Sequence, residues 1–375
     1  MGQALFSFHF SEQFMTRLSQ KNALELYQTS PIETLQQHAH DYRMKKHPSS
    51  IVTFITNTNP NYTNICSTAC LFCSFCRKKV APDAYILTRE QFEDLVRSAQ
   101  KNKISCILLQ GGLHEAISLE YLISLLSISQ NIAPEIHPHF FSAPEIVYAA
   151  SVSKIPLQEA LKLLWASGLR TIPGGGAEIL SERVHAHLSP KKLTPSQWLS
   201  FHKTAHDLGF KTTATMMFGH IETAQEMIHH LDQLRSVQDE TNGFLSFIPW
   251  SYKAHGNVLG KIVSQQKDPE KYLRIISISR LYLDNFPHIS ASWFGEGKAT
   301  GKRALHFGAD DFGGTLQEEH VHKAAGHTLS TTRTEISEMI STEGFIPRER
   351  DAFYRIIPLE RENRDTLPRQ PQEGR

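Results

Sequence analysis

Short apolar stretches alternate with polar segments that begin with helix-capping residues along most of the chain. Seven of the stretches are typical of buried strands, because they are short and rich in β-branched or aromatic residues. They span 51–55, 104–110, 135–141, 169–173, 211–218, 244–250 and 288–294, and a weaker eighth lies near 309–316. Helix starts are indicated between them at Thr88, Ser118, Thr194, Thr223 and Asp268. Since strict alternation favours parallel strands with crossover helices, the pattern predicts an α/β fold, a (β/α) barrel of the TIM type.

The same pattern divides the chain into three parts. Residues 1–48 are predicted to form an N-terminal helical cap, and residues 49–358 the barrel. Residues 359–375 are rich in Arg, Glu, Gln and Pro, a composition that predicts a disordered tail.

Composition narrows the class of protein. The 375 residues are 40% hydrophobic and 21% charged, with a formal net charge of +1. This balance gives no electrostatic reason to expect a nucleic-acid partner or an anionic membrane surface. No apolar stretch approaches the ~18 residues that a membrane span requires. Five cysteines, an odd number crowded mostly into one loop, do not resemble an extracellular disulfide framework, so we expect a cytoplasmic protein.

The cysteine run after the first predicted strand is the strongest chemical signal. Cys66, Cys70 and Cys73 are spaced C-x3-C-x2-C, and thiolates are the ligands that hold iron–sulfur clusters. Three ligands on a [4Fe–4S] cluster leave one iron open to bind a small molecule. Cys76 extends the run to four thiols, which leaves a tetrahedral zinc site as the alternative. Cys106 stands alone in an apolar stretch, where a small buried side chain is the simpler interpretation.

Glycine-rich and polar motifs follow several of the predicted strands. In a (β/α) barrel these strand ends share one face, which is where such barrels place active sites. Gly111 and Gly112 follow the second strand and allow close backbone approach, although an ordinary turn would use them too. Pro173–Glu178 contains three glycines, and Glu178 is either a ligand for ribose hydroxyls or a solvated helix-start residue. Gly219–Thr223 offers His220 for substrate binding or proton transfer, and Glu222 as a ligand or a loop support.

Together these segments resemble the AdoMet radical superfamily, and within it the futalosine-pathway branch that makes menaquinone. The resemblance covers about residues 50–356 and is carried by 61–77, 108–114, 172–184, 213–223, 237–250 and 304–315. It implies a [4Fe–4S] cluster on Cys66, Cys70 and Cys73, with S-adenosylmethionine (AdoMet) on the open iron. It also implies roles in AdoMet binding, which fall to Phe72, Gly111, Gly112, Glu178 and Glu222. Most relatives have tyrosine where this chain has Cys76. This departure affects what the resemblance implies about packing beside the cluster, but not the three ligands.

The branch contains two reactions, a radical addition and a radical cyclisation. Gln110, the 216–218 and 247–250 segments, and Ala291-Ser292-Trp293 are similar to the cyclising members. The resemblance then implies dehypoxanthine futalosine as the small-molecule substrate, and an external one-electron donor such as flavodoxin or ferredoxin. The radical-addition enzyme that makes aminofutalosine is the alternative. A non-catalytic iron–sulfur carrier or sensor is a further alternative, but it would not need two glycine motifs on the same barrel face.

Overall fold

A computed structural model describes residues 17–264, 268–318, 320–326 and 330–358. Its strands are β1 Ile51–Ile55, β2 Asn57–Thr58, β3 Cys106–Leu109, β4 His137–Phe140, β5 Thr171–Ile172, β6 Lys211–Phe218, β7 Phe244–Ser251, β8 His288–Ile289, β9 Asp311–Gly314 and β10 Ile346–Glu349. Its helices are α1 Gln20–Thr29, α2 Ile32–Lys46, α3 Arg89–Lys101, α4 Leu119–Ile132, α5 Ala143–Val152, α6 Leu157–Ala166, α7 Glu182–Leu188, α8 Pro195–Asp207, α9 Ala224–Thr241, α10 Pro269–Tyr282, α11 Trp293–Glu296, α12 Lys298–Ala304, α13 Val321–Ala324 and α14 Arg333–Thr342.

The strands form a parallel, curled sheet that surrounds a lumen. β2 through β8 pair in sequence order, and every one of those pairings is parallel. β1, which leads directly into β2, pairs in parallel with β9. A parallel bridge between Ser290 and Asp311 joins the end of β8 to β9. The predicted (β/α) barrel of the TIM type is therefore confirmed, with β9 as the weak eighth strand.

Two features differ from the predicted strand pattern. Within 288–294 the strand β8 covers only His288–Ile289, and helix α11 begins at Trp293, whose side chain is buried. Strand β10 was not predicted, because Ile346-Pro-Arg-Glu has no alternating apolar pattern. Its backbone pairs in parallel with β1 from Ile51 to Phe54, so tertiary pairing and not local preference makes it a strand.

The predicted helix starts agree with the structure. Capping boxes open α3 at Thr88, α8 at Thr194 and α9 at Thr223. The side chains of Ser118 and Asp268 accept hydrogen bonds from the first turns of α4 and α10. Each cap satisfies backbone N–H groups that the helix itself leaves unpaired. These local signals explain why the crossover helices could be placed from the sequence.

Strand β6 shows how the lumen is built. Because side chains alternate across a strand, Thr213, Thr215 and Met217 line the internal cavity, whereas Ala214 and Met216 are buried in the hydrophobic core away from it. The polar hydroxyls and the thioether thus face the lumen, and the apolar side chains between them pack against the helices outside.

The two N-terminal helices lie against α10 on the outside of the barrel. The guanidinium of Arg274 donates to the carbonyl oxygen of Ser30 at 2.8 Å, and Lys46 donates to that of Asp284 at 2.5 Å. We propose that these helices form the predicted cap. Its boundaries (1–48), and those of the barrel (49–358), stay predictions. Residues 1–16 and the predicted tail 359–375 lie outside the described residues.

Candidate active site

The cysteine loop follows β2 at the carboxyl end of the barrel and is held by backbone hydrogen bonds from three directions. Ser67 N–H donates to Leu113 O at 2.9 Å, on the loop after β3. Leu71 N–H donates to Leu188 O at the end of α7, and Leu71 O accepts from Leu259 N–H in the loop after β7. These contacts hold the loop against the neighbouring loops of the same barrel face.

The thiols of the loop sit in different hydrogen-bonding environments. The hydroxyl of Thr68 lies 2.9 Å from the sulfur of Cys66 and 3.5 Å from that of Cys70. The backbone N–H of Leu113 also donates to Cys66, at 3.3 Å. A hydrogen bond from the Cys76 thiol lowers the pKa of Cys66, and the same contact raises the pKa of Cys76. Burial raises the pKa of Cys70 and of Cys73. Cys66 is therefore the thiol best prepared to become a thiolate ligand.

This donor set fits an iron–sulfur cluster better than the zinc alternative. All five cysteines are free thiols, and four of them, Cys66, Cys70, Cys73 and Cys76, share one short loop. A single tetrahedral zinc ion would need its sulfur ligands about 3.8 Å apart, given its Zn–S bond length. Among the described residues, only His47, His288 and Asp310 bring three possible ligand atoms within 4.8 Å of one another. No three of the described thiols lie that close together, and ligands to separate irons of one cluster need not do so.

The glycine pair after β3 packs directly beneath the cysteine loop. A Cβ added to Gly111 would lie 2.6 Å from the ring of Tyr62, and one added to Gly112 would overlap the carbonyl oxygen of Ile65. The backbone N–H of Gly111 donates to Glu145 at 2.8 Å. That of Gly112 donates to Thr63 O at 3.0 Å. The structure thus gives both glycines a packing role, and the predicted contact with AdoMet stays a prediction.

Glu145 is a buried residue that the sequence analysis missed. Its carboxylate accepts from Tyr62 and Gly111 on one oxygen and from the backbone N–H of Ser142 on the other. Burial raises the pKa of Glu145 to about 7, against the hydrogen bonds that favour its ionised form. The capping box at Ser142 was the available signal, but it does not reveal the link to the cysteine loop.

Glu178 lies at the end of the triple-glycine loop and is paired with Lys192. Its φ of 44° is in the left-handed region, which few non-glycine residues adopt. The ammonium of Lys192 lies 2.6 Å from the Glu178 carboxylate and 5.5 Å from the ring centre of Phe72. Burial opposes the charged form of Lys192, but the Glu178 carboxylate raises its pKa, as do Cys70 and Cys73 in their thiolate forms. A buried cation therefore lies beside the cysteine loop, and no local pattern in the sequence indicates it.

The side chains of His220 and Glu222 form hydrogen bonds with the backbone of their own loop. The Nε2 of His220 lies 3.0 Å from Met217 O, and its Nδ1 accepts from Ile221 N–H at 2.7 Å. Glu222 accepts from the backbone N–H groups of Gly219 and His220, and from Lys271 at 3.0 Å. Burial disfavours the Glu222 charge, yet His220 and Lys271 lower its pKa. Both side chains are buried, and neither lines the cavity described below, so the geometry favours loop support over the predicted proton transfer.

A cavity of about 320 Å³ runs from the cysteine loop into the lumen, a size typical of small-molecule sites. Phe72, Cys73 and Ser74 lie at its upper end, next to Gly174, Gly175, Gly176 and Glu178. Arg350 and Tyr354 lie at its lower end, where Arg350 pairs with Asp311. No local pattern in the sequence indicates these two residues as part of the site. Of the predicted site residues, the cavity brings together Phe72, Cys73 and Glu178.

A parallel barrel whose C-x3-C-x2-C loop follows β2 at the carboxyl end and opens onto an internal cavity is the arrangement of AdoMet radical enzymes. The model of the radical SAM superfamily matches residues 60–234, and that of the CofH/MqnC C-terminal region matches residues 241–363. In fold, the chain is similar to the [FeFe]-hydrogenase maturase HydG from Carboxydothermus hydrogenoformans, with a TM-score of 0.72 at 16% identity, covering 92% of this chain and 79% of HydG.

Curated relatives are similar along most of their length. The chain is 36% identical to the cyclic dehypoxanthine futalosine synthase of Halalkalibacterium halodurans and to the aminodeoxyfutalosine synthase of Thermus thermophilus, covering 91% of this chain and 92% of each relative. It is 37% identical to a 5-amino-6-(D-ribitylamino)uracil–L-tyrosine 4-hydroxyphenyl transferase of Archaeoglobus fulgidus, over 82% of this chain and 89% of that one. The chain belongs to the futalosine-pathway family of radical SAM enzymes, which use a [4Fe–4S] cluster and AdoMet.

Within the described part of the chain, no helix combines the length and the apolar character needed to cross a bilayer.

Proposed function

We propose that this protein is a cyclase that converts dehypoxanthine futalosine into cyclic dehypoxanthinylfutalosine in menaquinone biosynthesis. The reaction removes the C4′ hydrogen of the ribose and closes that carbon onto the benzoate ring, with loss of an electron and a proton. The relatives at similar identity carry out three named reactions, so overall identity does not choose between them. The choice rests on the residues that face the substrate.

The observation that carries the proposal is that every segment resembling the cyclising members contributes to the wall of the cavity. Gln110 comes from the end of β3, Met217 from β6, Trp250 from β7 and Ala291 from the segment after β8. Residues that line a substrate cavity are the ones that decide which substrate a shared fold accepts. A resemblance confined to the outer helices would not support a choice of substrate, because those helices do not line the cavity.

We propose that Cys66, Cys70 and Cys73 hold the cluster and that AdoMet lies between it and the cavity. When bound, these groups supply the 5′-deoxyadenosyl radical that removes the C4′ hydrogen. Lys192 offers a buried positive charge beside the thiols, and Glu178 offers a carboxylate for hydroxyl groups. Phe72 lies at the same end of the cavity and presents an aromatic wall.

In the middle and at the floor of the cavity, the side chains of the protein hold the substrate and shield it from water. Leu108, Ile248 and Trp250 give the middle of the cavity largely apolar walls, which exclude water that would solvate the reacting groups. The Arg350–Asp311 pair at the floor is polar and fully enclosed. A shaped, enclosed cavity holds two reacting carbons in contact, and this positioning lowers the barrier of a step between them.

The proposal is tested by anaerobic incubation of the cluster-loaded protein with AdoMet, a reductant and each pathway intermediate in turn. We expect dehypoxanthine futalosine to be consumed, with cyclic dehypoxanthinylfutalosine and 5′-deoxyadenosine formed in equal amounts. Aminofutalosine synthesis is the second candidate function, because the similar relative from Thermus thermophilus is an aminodeoxyfutalosine synthase. An adenosylated product from the enol ether of benzoate, with dehypoxanthine futalosine untouched, would select that candidate instead.

Glu178→Gln is expected to weaken AdoMet binding by roughly 5- to 150-fold, the range for a lost hydrogen bond of ~1–3 kcal/mol. The change keeps the shape of the side chain but removes the charge that neutralises Lys192. The binding constant can be measured by equilibrium dialysis with labelled AdoMet. Glu182→Gln, on the exposed first turn of α7, is the matched control. Equal AdoMet affinity in both variants would remove Glu178 from the site.

We also propose a cytoplasmic location. The five free cysteines support it, because thiols that serve as cluster ligands stay reduced most readily in that compartment.

A further inference from the structure

Exposed apolar side chains are concentrated around the cysteine loop. Val80, Val258 and Ile262 are 89%, 54% and 75% exposed. Among the described residues they make up three of the seven large hydrophobic side chains that are exposed. Single exposed apolar residues are ordinary, but a group around one functional loop is typical of an interaction surface.

Both segments that carry these residues are attached to the cysteine loop. Arg77 O, three residues before Val80, accepts from the backbone N–H of Cys66 at 3.2 Å. In the other segment, His255 O accepts from the hydroxyl of Ser74 at 2.6 Å, and Leu259 N–H donates to Leu71 O at 2.8 Å. Whatever contacts Val80, Val258 and Ile262 therefore lies within a few residues of the thiols.

The same segments are strongly basic. Residues 77–83 and 255–262 contain Arg77, Lys78, Lys79 and Lys261 against one carboxylate, Asp83, which is held by Arg77 at 2.6 Å. Glu115, in the loop after β3, pairs with Lys79 at 3.2 Å. The local excess is therefore two positive charges, in a chain whose total is only +1. The three lysines are exposed, so they present this charge to solvent and to any partner.

We propose that Lys78, Lys79, Val80, Val258, Lys261 and Ile262, together the basic collar, are the docking surface for a small acidic one-electron carrier protein. The inference rests on the proposed placement of the cluster at Cys66, Cys70 and Cys73. Enzymes of this superfamily take their electron from an external donor. In the transfer, the reduced carrier loses one electron and the cluster gains it, with no bond made or broken.

Charge and apolar character act at different stages of this docking. Complementary charge speeds the encounter and loses strength as salt screens it. Apolar side chains at the centre of the contact stabilise the docked complex once water is excluded. An acidic carrier satisfies both requirements, whereas a second copy of this near-neutral chain would not complement a basic surface, and a basic carrier would be repelled.

The test compares two sources of electrons for the same full-length, cluster-loaded enzyme: reduced flavodoxin, an acidic carrier, and dithionite, which needs no docking. Release of 5′-deoxyadenosine from AdoMet is the readout. Lys78→Glu combined with Lys261→Glu is expected to lower the flavodoxin-supported kcat/KM at low salt by about tenfold or more, and to remove most of its salt dependence. The dithionite-supported rate should be unchanged. Val80→Ser combined with Ile262→Ser should also lower the flavodoxin-supported rate, but with its salt dependence intact.

The matched control is Lys101→Glu combined with Lys162→Glu, which changes the net charge equally on exposed positions of the outer helices α3 and α6. Equal flavodoxin-supported rates in the collar and control variants would overturn the proposal. So would a collar variant that lost the flavodoxin and dithionite rates together, since those lysines would then act on the site itself. The dithionite rate of the unaltered enzyme reports on the proposed chemistry separately from docking.

Discussion

Alanine at any one of Cys66, Cys70 or Cys73 is expected to abolish binding of the [4Fe–4S] cluster and all AdoMet cleavage. The two proposed ligands that remain cannot replace three, because each ligand holds a different iron. Cys76→Ala is expected to keep the cluster, since the proposed ligands are Cys66, Cys70 and Cys73, and the Cys76 thiol donates to the carbonyl oxygen of Cys66 at 3.4 Å. Anaerobic reconstitution followed by iron and sulfide analysis and electron paramagnetic resonance measures both outcomes.

The four variants form their own control set, because each removes one thiol from the same loop. Circular dichroism of the cluster-free proteins should show the same barrel in all of them. The assignment is wrong if the Cys76 variant fails to assemble a cluster while one of the other three succeeds. A preserved cluster whose signal no longer responds to AdoMet in the Cys76 variant would also contradict it.

Gly112→Ala is expected to lower the free energy of unfolding by about 3 kcal/mol, the upper end of the range for overpacking. The added methyl group would overlap the carbonyl oxygen of Ile65 and lie 2.9 Å from the Cβ of Cys66. Since the nearest atom is backbone, relief requires movement of the cysteine loop itself. Chemical denaturation of the cluster-free protein gives the free energy, and reconstitution should show reduced cluster content.

Gly175→Ala provides the comparison. Its added methyl group would meet the Nε2 of Gln110 at 2.7 Å, the far end of a flexible side chain, so we expect a loss of less than ~1 kcal/mol. Equal stability losses at positions 112 and 175 would mean that the loop yields easily. The tight packing of the glycine pair would then have no part in positioning the thiols.

The parts of the fold that could be predicted depend on local signals. Capping at Thr88, Thr194 and Thr223 depends on residues three positions apart, and the strands depend on short apolar runs. Strand β10 could not be predicted, because its pairing with β1 is decided by tertiary structure. The early end of β8 has the same cause: burial of Trp293 in a helix overrides a run that is typical of a strand.

The candidate site divides in the same way. Cysteine spacing is a local pattern, so the loop could be identified directly from the sequence. Lys192 could not, because it lies 14 positions after Glu178 and no pattern in the sequence reports their ion pair. His220 shows the opposite case, and its predicted role stays a prediction. Its position after β6 indicated a site residue, but sequence cannot report that the ring turns to the carbonyl of Met217.

The cyclisation claim is tested most directly with dehypoxanthine futalosine that carries deuterium at C4′ of the ribose. A cyclase takes the C4′ hydrogen from its substrate, whereas the radical-addition reaction leaves that atom in place. Mass spectrometry of the released 5′-deoxyadenosine under reducing, anaerobic conditions gives the answer. We predict one deuterium per molecule of 5′-deoxyadenosine, matched by one molecule of cyclic product. Unlabelled 5′-deoxyadenosine, with the labelled substrate recovered intact, would contradict the proposed function.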